Sequence, residues 1–405
     1  LSPQDPMASR TRTAATSHSI TLSASDRSPP CAMRRGVPVQ ISTAVPLCPT
    51  GVMPAGDNSG AGSPTGIVFY EGDALGAKYR GTLLSCEAGR NVIFGYQPQI
   101  NGAGFTLNRQ DFISSFPQAS ERYEWFETDT DTRKWFRPSD IAVGPDGALY
   151  VADWYDPIVG GHAMQDKKGY GRIYRITPKG KKLTTPLLDL ASTAGLINAL
   201  KSPAVNVRTL GFEGLRIKGD ASLPEVKKLL TSENPYHRAR CIWLMAQLGE
   251  AGKKEVIALL DSPTAANRLT AFRALRAIDE HTTYLPKMAK DSDPAVRREV
   301  CIALRDVPLA MAQESLMHLI NRYDGQDPWL LEAIGTAAIG KEEQVYELVK
   351  TIFPGKPAQW SPQRAALAWR LHPAAAVDDL KTRAGTSTLT ADARKQALTA
   401  LAFIP

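Results

Sequence analysis

The sequence predicts a multidomain chain, β first and α afterwards: a partial β-propeller of about two blades followed by a HEAT-like α-solenoid. Three observations predict it. Short apolar runs separated by turn residues fill residues 65–115 and 135–177. The second block loosely repeats the first. From residue 190 onward a proline-paced pattern of amphipathic helices recurs. The expected boundaries are 1–60 without a packed fold, 61–178 for the partial propeller, 179–189 for a linker and 190–405 for the solenoid.

The clearest β signal lies between Trp135 and Thr177. Its apolar runs are Asp140–Val143, Ala148–Ala152 and Arg172–Ile176. Pro145-Asp146-Gly147 separates the first two, and that composition between β-branched and aromatic runs reads as a hairpin turn. The loop from Asp153 to Gly171 is long, polar and rich in ionisable groups, the usual place for function on a rigid sheet.

Upstream, SPTGIVFYEGD, KYRGTLLSCEAGRNVIFGYQ and GAGFTLNRQDFISS read as four short strands over about 65–115. Pro64–Phe69 matches Pro138–Val143, Gly81–Cys86 matches Gly147–Ala152, and Asn91–Phe94 matches Arg172–Arg175. Two copies of a three- or four-stranded unit fit two propeller blades, whereas a ring closes with about four to eight. The remaining blades are therefore expected from elsewhere, or the chain is a truncated piece. A small independent β-domain is the alternative. Pro178–Lys182 is a basic hinge.

In the helical part the prolines at 203, 235, 263, 294, 328 and 362 are spaced 32, 28, 31, 34 and 34 residues apart. Each follows Ser, Asn or Asp, and an Arg then leads into an apolar helix in all but the Asp327-Pro328 copy. An N-cap oxygen satisfies free amides, and proline at the first helical position costs nothing there. Between these helices lie LPEVKKLL, KKEVIALL, YLPKMAK and EEQVYELVK, so helix pairs stack. Asp392–Phe403 suggests a seventh unit. This predicts an interaction surface, with a protein partner on it.

Composition narrows the classes. At 405 residues, 43% hydrophobic and 22% charged, the chain can bury a sizeable core. No apolar run is long enough for a transmembrane helix. The net charge of +7 is spread among acidic residues, so nucleic acid is not an expected partner. The five cysteines form no CxxC and no CxxCH, which leaves no haem-attachment motif. No signal peptide is visible. Residues 1–60, rich in Ser, Thr, Pro, Ala and Gly, are expected to stay disordered.

Candidate chemistry concentrates in the β part. Asp153, Asp156 and His162, with Asp140 and Asp146 nearby, are candidates for Ca²⁺ or a transition metal. A solvated loop or a blade-closing hydrogen-bond network is the plainer reading. Arg80, Arg90 and Asn91, with Glu87, sit at strand ends where a guanidinium fork suits a polyanionic cofactor, against cross-strand ion pairing. Trp154 and Tyr155, with Tyr170, offer rings for stacking on a cofactor or sugar, against blade packing. His237 reads as a capping or surface residue, and GAGF at 102–105 as a weak phosphate-loop candidate.

With PSDIAVGPDGALYVADWYDP, SPTGIVFYEGD, KYRGTLLSCEAGRN, GYGRIYRITPKG and NPYHRARCIWLMAQLG in view, the chain resembles the planctomycete-type membrane-bound dehydrogenases over about residues 55–400. Their propeller is similar to that of the quinoprotein glucose/sorbosone dehydrogenases. The resemblance implies a periplasmic or secreted oxidoreductase of a sugar or alcohol, using pyrroloquinoline quinone and Ca²⁺ and passing electrons to a cytochrome. It matches no residue here to the catalytic base. The family's earlier blades and its CxxCH domain have no counterpart in this sequence.

Overall fold

Two β-meanders and a run of paired helices make up the described part of the chain. A computed structural model describes residue 57 and residues 63–116, 131–154 and 171–404. All of these fall within one unit, Cys48–Pro405. A β-rich region is followed by a helical one, as expected.

The first meander orders β1 (Pro64–Tyr70), β2 (Thr82–Glu87), β3 (Val92–Tyr96) and β6 (Arg109–Ser114) in one antiparallel sheet. Between β3 and β6 a short hairpin, β4 (Gln99–Asn101) and β5 (Gly104–Thr106), stands apart as a two-stranded ribbon. The second meander is β7 (Pro138–Val143), β8 (Leu149–Asp153) and β9 (Arg172–Ile176). The Pro145-Asp146-Gly147 turn joins β7 to β8 as an antiparallel hairpin. The Asp146 carboxylate accepts the Ala148 amide at 3.0 Å, the local bond that favours Asp in turns.

Both meanders begin with the same fastening. Pro64 pairs with Glu87, and Pro138 with Asp153. The amide of the residue before each proline donates to that carboxylate: Ser63 to Glu87, and Arg137 to Asp153 at 2.8 Å. The carbonyls of Ser63 and Arg137 accept the amides of Ala88 and Trp154, each at 3.0 Å. A bulge follows in β1 and in β7. The loose sequence repeat is therefore a repeat of hydrogen-bonded structure, with Glu87 and Asp153 as equivalents.

The two sheets pack front to back. Tyr70, Leu84, Cys86 and Ile93 of the first meet Ile141, Val143, Leu149 and Val151 of the second. The equivalents of Leu84 and Cys86 in the second sheet are Tyr150 and Ala152, which alternate onto its far side. Among the described residues β9 is the edge strand of this sheet, and Ile173 is 78% exposed. Tyr70 ties the pair: its hydroxyl donates to the Gly147 carbonyl at 3.2 Å and accepts the Leu75 amide at 3.0 Å.

Seven helix pairs follow among the described residues. They are α1 (Thr193–Lys201) with α2 (Val205–Lys218), α3 (Leu223–Lys227) with α4 (Pro235–Met245), α5 (Gly249–Ala258) with α6 (Ala265–Ala277), and α7 (Leu285–Met288) with α8 (Pro294–Ala303). Then come α9 (Leu309–Asn321) with α10 (Pro328–Ala337), α11 (Glu342–Ile352) with α12 (Pro362–Leu371), and α13 (Val377–Gly385) with α14 (Ala391–Phe403). The even-numbered helices from α4 to α14 pack on one another in sequence, and one continuous core runs through the array.

The proline device holds at four of its six sites. Asn234, Asp293, Asp327 and Ser361 cap α4, α8, α10 and α12, with proline at the first helical position. At Pro203 and Pro263 it does not. There the serine hydroxyls bond the amides of Ala204 and Thr264, which folds a turn and delays the helix by two residues. The recurring arginine makes a shared contact in the five copies that carry it. Arg208, Arg238, Arg268, Arg297 and Arg364 each turn back and donate through Nη1 to carbonyls of the preceding turn. Charge-assisted bonds of this kind contribute about 1.5–3 kcal/mol each. Exposed rungs such as Lys227–Glu255 and Lys253–Glu280 contribute about 0.5 kcal/mol or less.

Candidate functional site at the join of sheets and helices

Of the residues expected to bind a cofactor, Arg90 and Asn91 are buried at the end of the first β-meander, whereas Arg80 and Trp154 reach the surface. Glu87, Arg90, Asn91, Lys134, Arg137 and Asp153 form a polar seam, each at most 4% exposed. Asn91 takes a left-handed conformation (φ 55°), which Asn tolerates better than most residues. Its amide donates to the carbonyls of Lys134 and Phe136 at 2.7 and 2.9 Å. Arg137 Nη1 donates to the carbonyls of Ala88 and Gly89 at 2.9 and 3.2 Å. These bonds run from one meander to the other, so the seam welds the sheets. Burial pushes the Glu87 carboxyl up, while the amides of Ser63 and Gly89 and the Arg90 charge draw it back.

This revises the placement expected for Arg90 and Asn91. Both face inward, because the chain must satisfy polar backbone where the two sheets meet. Asp153 likewise points into the seam, where its carboxylate accepts the Arg137 amide. Asp156 and His162, the other two metal candidates, and Tyr155 and Tyr170 lie outside the described residues. No group of three or more His, Cys, Asp or Glu suited to a metal occurs among the described residues. Trp154 is half exposed at the start of the long loop.

A shallow cleft of about 260 Å³ opens where the β1–β2 and β7–β8 turns meet the first helices. Glu71, Asp73 and Asp146 approach from the sheets, and Lys201, Asn234 and His237 from the helices. Arg80 reaches the rim, its Nε donating to Asp73 at 2.6 Å. Glu71 is the main tie. Its carboxylate takes Arg208 Nη1 at 2.8 Å and also Arg240, and its carbonyl accepts the Asn234 amide at 3.2 Å. Phe69 meets Tyr236 edge to face at 5.4 Å. The equivalent of Glu71 in the second meander is Pro145, and that departure from the repeat is the signal that marks Glu71 in the sequence.

His237 is a joint residue rather than a surface one. Its ring nitrogens contact Ser232 Oγ at 3.2 Å and the Lys201 carbonyl at 3.1 Å. Burial, then the Arg240 charge, push its pKa below the ordinary value, with the Lys201 carbonyl opposing. The depressed value means that stability is fully present above the unfolded-state pKa of about 6.5 and is lost as pH falls toward the folded value. His281 and His372 shift the same way. Denaturant unfolding from pH 7.5 to 5 is therefore expected to show falling stability below about 6.5, and a shallower fall in His237→Gln.

The family described as Domain of unknown function (DUF7133) matches residues 13–180, ending at the hinge after β9. No curated protein matches the chain. The solved complex of CpcE and CpcF of phycocyanin lyase from Nostoc sp. PCC7120 is similar over 56% of this chain and 82% of that one, at 16% identity and a TM-score of 0.18, too low to carry an argument.

Proposed function

We propose that the chain is a binding scaffold: propeller-type β-meanders fastened to a HEAT-like helical array that meets a protein partner. The observation that carries this reading is the fastening itself. Glu71 at the cleft and the β4–β5 hairpin further along both bind the array, so the polar groups at the join serve cohesion. What supports this reading over a pyrroloquinoline quinone and Ca²⁺ site is that Asn91 and Asp153 are buried, with the Asn91 side-chain nitrogen and one Asp153 oxygen held by backbone groups.

The front-to-back packing favours a second reading. An interface that uses two different faces propagates until a ring closes, and no described element packs on the far face of the second meander, where Ile173 is 78% exposed. Two blades of a larger propeller would pack this way. In that form the chain belongs to a periplasmic or secreted dehydrogenase that oxidises a sugar or alcohol and passes electrons to a cytochrome, with the 153–171 loop lining its pocket.

Calorimetric titration of the purified chain with pyrroloquinoline quinone, with and without Ca²⁺, separates the two. The scaffold reading expects no saturable heat. A saturable, Ca²⁺-dependent heat would overturn it.

A further inference from the structure

The β4–β5 hairpin is an arm with an exposed shaft and a buried tip. Ile100 is 80% and Phe105 45% exposed, whereas Ala103 is fully buried. The tip is seated in the helical array. The Ala103 amide donates to Asp327 Oδ2 at 2.6 Å, and its carbonyl accepts from Arg298. Arg298 is itself only 9% exposed. The other oxygen of Asp327 caps α10 through Trp329 and Leu330, so one carboxylate serves two duties. Gly104 lies against the Trp329 ring, where a Cβ would overlap the indole. Gly102 takes φ +56° beside Asp327, where a Cβ would also collide.

These contacts read a backbone, not side chains. An acceptor and a donor clasp the N–H and the C=O of one residue, Ala103, and an aromatic plate admits only glycine after it. We propose that Arg298, Asp327 and Trp329 form a receptor for tight turns of the type Gly-small-Gly, filled in cis by residues 102–104 and open to the same turn in a partner once the arm lifts. A two-stranded ribbon this short has little stability of its own, so the arm is a discrete element that docks or leaves as a unit. The inference rests on the scaffold reading and names the partner chemistry of one of its sites.

The test uses the full chain and a fluorescent, disulfide-closed peptide carrying QINGAGFT. Gly104→Val is expected to eject the arm, seen as lost hydrogen-exchange protection of the Ala103 amide. In that variant the peptide should bind at least about ten-fold tighter than in the wild type, where the arm competes. Adding Asp327→Asn, which keeps a capping oxygen for α10 but not the acceptor for the turn, should abolish binding while circular dichroism stays helical. A peptide with Val in place of the second glycine should not bind. Equal affinity for wild type and Gly104→Val, binding indifferent to Asp327→Asn, no binding at all, or an Ala103 amide still protected in Gly104→Val would each overturn the proposal. Uptake of pyrroloquinoline quinone alongside peptide binding would remove the scaffold reading and leave this site standing.

Discussion

Arg137→Met is expected to lower the stability of the sheet region by about 2–4 kcal/mol. The side chain is fully buried, and its guanidinium holds two carbonyls of the other meander. Methionine fills much of the volume but donates nothing. Each buried carbonyl left without a donor costs about 1–3 kcal/mol, and apolar packing offsets only part of that. Native-state hydrogen exchange reads the effect in β2, β3, β7 and β8, with the far helices as an internal control. Unchanged exchange in β2 and β8 would mean that the two meanders are held by their apolar face alone.

Glu71→Ala is expected to weaken the join of sheets and helices by about 2–4 kcal/mol. Glu71 answers two arginines, and Arg240 is only 13% exposed at the side chain. Removing a carboxylate from a partly buried cluster leaves a desolvated cation, which costs more than the pair contributes net. Thermal unfolding should separate into two transitions, and exchange should rise at the starts of α2 and α4. Glu71→Gln, which keeps an acceptor oxygen, should fall between. A single transition at the wild-type temperature would show that the join is carried without the Glu71 carboxylate, by the Asn234 and Tyr236 contacts and the hairpin clasp.

Local patterns in the sequence were legible because they rest on local physics. The runs at 140–143, 148–152 and 172–176 became β7, β8 and β9 within a residue or two, since alternation and turn chemistry act over a few positions. The capped prolines at 235, 294, 328 and 362 marked helix starts for the same reason. The rest depends on contacts distant in sequence. Asn91 looked like a strand-end ligand because nothing near it shows that Lys134 and Phe136 will supply carbonyls. GAGF at 102–105 looked like a phosphate loop because its partner carboxylate, Asp327, lies 224 residues away. The paired fastenings at Glu87 and Asp153 were within reach: each ends the second strand of its copy, opposite a proline. The repeat hid the equivalence behind a change of residue type.

The clasp between Ala103 and Asp327 also has a consequence in time. A ribosome adds about 5–20 residues per second, so the 224 residues that separate the two partners take about 11–45 s to make. Throughout that interval the arm has nowhere to dock, and in its later part, once β9 has been made, the sheets are already complete. The nascent protein therefore passes through a stage in which the glycine turn is offered to its surroundings, and ends it when α10 leaves the exit tunnel.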